Sequence, residues 1–197
     1  ENTQLGDNCI ISDNCSIGPN VLIESDTIIY SNNSISNTII GSFSVIQSGC
    51  SIGDPGFGFF SEDKTIIQHI GNVIIGSNTN IGSNCTIDRA TIDSTIIGNL
   101  VRIDNLVHIA HNVKIGDETI IAGQTGIAGG TEIGNNCKIG GQVGINGHIT
   151  IGNKVTIAAK SGVTKSIADN LIIAGFPAID IRKWRKIFIN QIRKIDD

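Results

Sequence analysis

The sequence predicts an all-β fold: a parallel β-helix of hexapeptide repeats, closed at its C-terminal end by an α-helix. Three observations carry this expectation. First, an apolar residue returns at every sixth position through Ile103, Ile109, Ile115, Ile121, Ile127, Ile133, Ile139, Ile145, Ile151, Ile157 and Val163. A period of six is neither the helix period nor the alternation of a simple strand. It marks short strands coiling into a three-sided prism. Second, only 4% of residues are aromatic, so stacked isoleucine rows must supply the core. Third, the spacing changes near the C-terminus to Ile181, Trp184, Ile187, Phe188 and Ile192, close to that of an amphipathic helix.

Taken in order, the first repeats run through Leu5, Ile11, Ile17, Ile23, Ile29 and Ile35, step by five to Ile40, and resume at Ile46 and Ile52. Gly6, Gly18, Gly41 and Gly53 directly follow their apolar residues and read as tight corners with positive φ. Asn and Asp at other corners tolerate the same conformation. Between Ile52 and Ile75 the repeat is interrupted. A loop over about 54–70 leaves the prism there, carrying Phe57, Phe59 and Phe60, whose rings need a surface to cover. The repeat returns at Ile75, Ile81 and Ile87, takes short steps to Ile92 and Ile97, and enters the regular run. Three hexads make one coil, so residues 18 apart stack, each coil rising by about 4.8 Å. The β-helix is expected over 1–177. The helix over 178–197 has a basic start and covers an open sheet edge. Flat faces suit packing about a three-fold axis, which predicts a homotrimer.

Composition narrows the function. No run of 18 apolar residues and no signal peptide is present, so no membrane span is expected. A net charge of -4 argues against a nucleic-acid partner. The chain contains no Met and opens inside the repeat, at LGDNCIISDNC, which suggests a missing upstream piece. Cys9, Cys15, Cys50, Cys85 and Cys137 each lie four residues after a repeat-defining apolar residue. They read as small buried hydrophobes and as reduced thiols of a cytoplasmic protein.

Histidine is scarce, so its four positions stand out: His69, His108, His111 and His148. His111 and His148 are two coils plus one residue apart and fall at one corner, about 10 Å apart along the axis. A neutral imidazole is a suitable general base, or else only a stacked corner residue. Asp104 and Asp88 both replace the glycine expected after a repeat residue. Either orients a histidine or makes an ordinary corner turn. Gly129 lies one coil beyond His111, where its N–H is placed to stabilise an oxyanion, although a corner glycine also has a structural reason.

Over nearly the whole chain, GDPGFGF, TIDR, IDNLVHIAHN, IAGGTEIG, INGH and AGFPAIDIRKWRK occur in an order that resembles the LpxD family. These are the UDP-3-O-(3-hydroxyacyl)glucosamine N-acyltransferases of lipid A synthesis. The resemblance implies a left-handed winding. It implies His111 as general base toward the glucosamine 2-amine, Asp104 orienting it, and Gly129 N–H as oxyanion donor. It also implies substrate binding by His148, Asn146 and Asn112, with the acyl group arriving on the phosphopantetheine of an acyl carrier protein and no other cofactor or metal. Arg182, Lys183, Arg185 and Lys186 would meet that acidic carrier. The family's N-terminal uridine-binding domain has no counterpart in the chain. Rival readings are the sister UDP-N-acetylglucosamine O-acyltransferase, a γ-class carbonic anhydrase with three histidines on zinc, and a non-catalytic scaffold.

Overall fold

A computed structural model of the chain describes residues 2–60 and 62–175, together with Arg182, Lys186, Ile187 and Ile189. Among these, the chain winds as a three-sided parallel β-helix whose faces hold eight, nine and eight strands. Most strands are two residues long, and each pairs in parallel with the strand one coil away. In the regular region that coil is 18 residues, as between His108–Ile109 and Gly126–Ile127. The helix expected over 178–197 falls outside the described residues apart from the four named, which are exposed.

The repeat isoleucines point inward. Every one from Ile103 to Ile157, with Val163, is buried and belongs to a single apolar core. A second interior row sits four residues further on, filled by Val, Thr, Cys or Ser. Its polar members are not idle. The Thr119 and Thr125 hydroxyls donate to the carbonyls of Gly134 and Gly140, each at 3.0 Å. The Cys50, Cys85 and Cys137 thiols donate to Gly82, Asp104 and Gly152 in the same way, at 3.1, 3.2 and 3.1 Å. Cysteine here substitutes for threonine as a compact donor between coils. All five thiols are free, and Cys9 and Cys15 are only half buried. Burial pushes the Cys137 thiol up, and its hydrogen bond with Cys50, followed by burial, pushes up Cys85.

The corner chemistry differs from the sequence expectation. The left-handed residue is usually the third after the repeat isoleucine: Asn112, Glu118, Gln124, Asn136 and His148 have φ of 61°, 59°, 61°, 58° and 57°. Of the four glycines read as left-handed, Gly18 and Gly53 are, with φ of 115° and 87°. Gly6 and Gly41 are glycine for another reason, because a Cβ there would lie 2.5 and 2.6 Å from a backbone nitrogen of the next coil. The corner brings two chains too close for any side chain.

Two irregularities shape the surroundings of the third face. Ile92 is not a core position but is 62% exposed, so the chain makes one excursion between Ile87 and Ile97 rather than two short steps. The loop after the strand Ser51–Pro55 folds as a small antiparallel excursion, with Phe59 bridged to Ile66. It is pinned back on the Ile87–Ile97 excursion by Ile70 N–H to Thr91 C=O and Gly71 N–H to Ala90 C=O, both 3.0 Å. The winding also runs past Val163: Ile172–Ile173 pairs with Thr156–Ile157, 16 residues back, completing a shortened coil.

A test of this packing contrasts two glycines. A Cβ at Gly134 would stand 2.8 Å from the backbone of both Asn153 and Gly152, whereas one at Gly144 meets nothing within 4 Å. Gly134→Ala is expected to destabilise the fold by about 1–3 kcal/mol. Gly144→Ala should be neutral or slightly stabilising. Thermal unfolding followed by circular dichroism measures both.

Candidate active site

The strands His108–Ile109, Gly126–Ile127, Gly144–Ile145 and Gly162–Val163 are successive neighbours on the third face. The corner after these strands repeats coil by coil. Ala110, Ala128 and Asn146 share the first slot after the repeat isoleucine, His111, Gly129 and Gly147 the second, and Asn112, Gly130 and His148 the third. An open groove of about 670 Å³ runs along this column, and His108, His111, Gly129 and Asn146 line it.

The local network fixes the protonation pattern of His111. The Asn112 side chain takes the Thr91 N–H on Oδ1 at 3.0 Å and gives Nδ2–H to the Ile92 carbonyl at 2.9 Å. Neither backbone group tolerates the flipped amide. Oδ1 is therefore what faces His111 Nδ1, at 3.1 Å, and an acceptor there requires Nδ1 to carry the proton. The lone pair of the neutral ring is left on Nε2. That edge of the ring lies against Gly129, where an added Cβ would be 2.7 Å from both Nε2 and Cε1.

The Gly129 N–H differs from its counterparts on another corner. On the corner after the first face, the equivalent amides are capped by the next coil: Asn99, Asp117 and Asn135 donate to Asp117, Asn135 and Asn153 Oδ1 at 2.7, 2.8 and 2.9 Å. On the histidine corner, Gly147 occupies the capping slot and has no side-chain acceptor to offer. Among the described residues Gly129 N–H has no hydrogen-bond partner. A vacant donor and an imidazole lone pair therefore sit side by side at the groove.

The inserted loop roofs this arrangement. Phe57 lines the groove while staying 84% exposed, its ring edge-on to Phe59 at 5.0 Å. His69 returns beneath the loop, 2% exposed, its ring packed edge-to-face on His111 at 5.1 Å between centroids. Its Nδ1 is bound to the Ile67 carbonyl at 3.0 Å, and its buried Nε2 has no partner among the described residues. Asp88 also faces the cluster. Burial holds its carboxyl above the usual range, against the pull of His108, His111 and His69.

Of the residues expected in the site, His111, Gly129 and Asn146 come together on the groove. Asn112 turns its amide to the backbone and to His111, with Oδ1 on Thr91 N–H and His111 and one Nδ2–H on the Ile92 carbonyl. His148 shares the corner, exposed, with its ring over Gly130. Asp104 is placed elsewhere. It follows Ile103 on the second face, and its carboxylate accepts from Gly123 N–H at 3.1 Å and Asn105 N–H at 2.8 Å. One corner separates it from His111 within the chain. Lys183 and Arg185 lie outside the described residues, and Arg182 and Lys186 are exposed. Among the described residues no group of three or more His, Cys, Asp or Glu is arranged to hold a metal ion.

Sequence reasoning missed the column Gly126, Gly144 and Gly162. None has positive φ, and a Cβ on any of them meets nothing within 4 Å. Glycine weakens a strand, so three in register are unexplained by the fold and leave the groove floor bare. Their 18-residue recurrence at the strand position before the isoleucine was the available signal.

The repeat and the prism have counterparts among known proteins. Residues 94–129 and 130–165 match the family model for bacterial transferase hexapeptide (six repeats). The UDP-3-O-acylglucosamine N-acyltransferase of Coxiella burnetii is 46% identical over 72 residues, 35% of this chain and 21% of that protein. The same enzyme of Rickettsia massiliae is 51% identical over 74 residues, 36% of this chain and 21% of that protein. The chain thus matches about a fifth of the length of these curated relatives. Among solved structures, LpxA of Acinetobacter baumannii superposes with a TM-score of 0.81 at 27% identity, over 93% of this chain and 72% of that one. A Francisella novicida UDP-N-acetylglucosamine acyltransferase superposes at 0.82 and 27% identity, over 94% and 70%.

Asn112→Ala removes the group that fixes the ring. It is expected to cost about 1–3 kcal/mol by orphaning backbone partners. The ¹⁵N spectrum of His111 should change from a single Nδ1–H tautomer to a mixture.

Proposed function

We propose that this hexapeptide-repeat chain is an acyltransferase of the lipid A pathway, with His111 as its general base. The observation that carries the reading is the pairing on one groove of the His111 Nε2 lone pair with the uncapped Gly129 N–H. The substrates are a 3-hydroxyacyl thioester on acyl carrier protein and the 2-amine of UDP-3-O-(3-hydroxyacyl)glucosamine. The amine attacks the thioester carbonyl as Nε2 takes its proton. The carbonyl oxygen becomes an oxyanion that accepts from Gly129 N–H. Collapse forms the amide, breaks the carbon–sulfur bond and returns the proton to the departing thiolate. No covalent acyl-enzyme is required, because a deprotonated amine is already a competent nucleophile.

The bare column over Gly126, Gly144 and Gly162 gives the acyl or pantetheine chain an apolar floor, with Phe57 at its rim. Asn146 presents an amide with no side-chain hydrogen bond among the described residues and is suited to the polar part of a substrate. His148, further along the corner, is suited to the nucleotide-sugar side. Arg182 and its basic neighbours suit the acidic carrier protein. A homotrimer would close the open side of the groove with a second copy.

The likeness to UDP-N-acetylglucosamine acyltransferases supports a second reading, transfer to a hydroxyl at the same corner. A transfer assay with hydroxyacyl carrier protein and each acceptor separates the two. N-acylated product from UDP-3-O-acylglucosamine is expected, and product from UDP-N-acetylglucosamine alone would overturn the amine reading. His111→Ala should lower the rate by about 10²–10⁴-fold. Full activity in that variant excludes the mechanism. Gly144→Leu, which fills the bare floor, should impair long acyl donors far more than short ones in the same assay.

A further inference from the structure

Asp88 has no part in the acyl-transfer steps, yet it is the carboxylate that faces the histidines. It follows Ile87 in the strand Thr86–Arg89, and its side chain is only 15% exposed. The inserted loop passes over it. The position of a Cβ at Gly56 lies 3.2 Å from Asp88 Oδ2 and 2.9 Å from His111 Cβ. The His111 ring carbon Cδ2 lies 3.0 Å from the same position, so carboxylate and imidazole flank a single glycine, near enough for an opposite charge to favour the protonated ring. His108 approaches from the neighbouring strand with Nε2 3.9 Å from Asp88 Oδ2. Its Nδ1 is engaged by the Thr86 hydroxyl at 2.7 Å. His69 comes from the inserted loop, against the His111 ring. The other acid facing Asp88 is Asp54, whose carboxylate already holds the Ser51 hydroxyl. Asp88 itself accepts no side-chain hydrogen bond among the described residues. A half-buried carboxylate without donors, ringed by three imidazoles, is placed to balance a positive charge that arises among them.

We propose that Asp88 is the positioning residue that stabilises the imidazolium formed on His111 when it takes the amine proton, in place of Asp104. The inference rests on the acyl-transfer reading. The proton moves from the amine nitrogen to His111 Nε2 and leaves on the thiolate sulfur. Between those events the imidazolium is paired electrostatically with Asp88. Asp104, held by two backbone amides on another corner, cannot serve within the same chain.

Two measurements test this on the folded protein. NMR titration of His111 in the unsubstituted chain, Asp88→Asn and Asp104→Asn reads the coupling without turnover. A failed coupling is thereby distinguished from a failed acyl-transfer reading. His111 is expected to bind its proton about tenfold more weakly in Asp88→Asn and to titrate unchanged in Asp104→Asn. The pH profile of kcat/KM supplies the second readout. The active form has His111 unprotonated, so weaker proton binding moves the acidic limb to lower pH while the plateau falls. Asp88→Glu should restore both, which separates the charge from a packing role and serves if Asp88→Asn folds poorly. Unchanged His111 titration in Asp88→Asn, a change confined to Asp104→Asn, or failure of Asp88→Glu to restore either readout would overturn the proposal.

Discussion

In-register hydrogen bonding between coils is the constraint on which everything else depends. Each strand of the prism is too short to be stable alone and is held by its neighbours one coil before and after. Because the repeat is strict, every position in a hexad becomes a column through the molecule. A column has one environment, and a residue that suits it once suits it many times. Isoleucine fills the innermost column, and small donors such as Thr and Cys fill the next. The corner slots take Asn or Asp, whose side chains cap the amide of the coil before. The same logic turns a departure from the column into a signal.

The periodic part was legible for this reason. The isoleucine rows, the three faces and the 18-residue stacking follow from spacing, and the burial of Cys50, Cys85 and Cys137 follows from their shared slot, while Cys9 and Cys15 in the same slot are only half buried. The loop was legible only as an interruption. That it returns over the third-face corner and packs His69 on His111 depends on contacts with the Ile87–Ile97 excursion, which no period encodes. Ile92 misled for the complementary reason, being apolar at a plausible spacing yet exposed. The glycines after the repeat isoleucines suggested positive φ. At Gly6 and Gly41 the cause is instead the close approach of the next coil, which needs three-dimensional distance to recognise.

The candidate site shows the limits of counting residues between motifs. Spacing places His111, Gly129 and His148 on one corner correctly, because Gly129 is one whole coil from His111 and His148 two coils and one residue. It carries no information across corners. Asp104 is seven residues from His111 and Asp88 twenty-three, yet the winding sends Asp104 to a different corner and Asp88 beneath the loop that covers the histidine. Sequence separation is a poor guide to proximity in a solenoid except at multiples of the coil.

Catalytic geometry in this fold arises where the repeat stops satisfying itself. On the corner after the first face the Asn99, Asp117 and Asn135 amides are capped by the next coil. On the histidine corner Gly147 removes the cap from Gly129, and Gly126, Gly144 and Gly162 remove the side chains that would fill the groove. Asn112, held by the Thr91 N–H and the Ile92 carbonyl, then sets the ring of His111 so that a lone pair turns toward the uncapped amide. Each change weakens the prism locally, since glycine costs a strand about 0.5–1 kcal/mol and an unpaired amide forgoes a hydrogen bond. The stack of paired strands on either side supplies the stability that lets those costs be concentrated at one corner. A fold whose coils are nearly interchangeable can thus leave a few of them incomplete, and the incompleteness is where a substrate finds its partners.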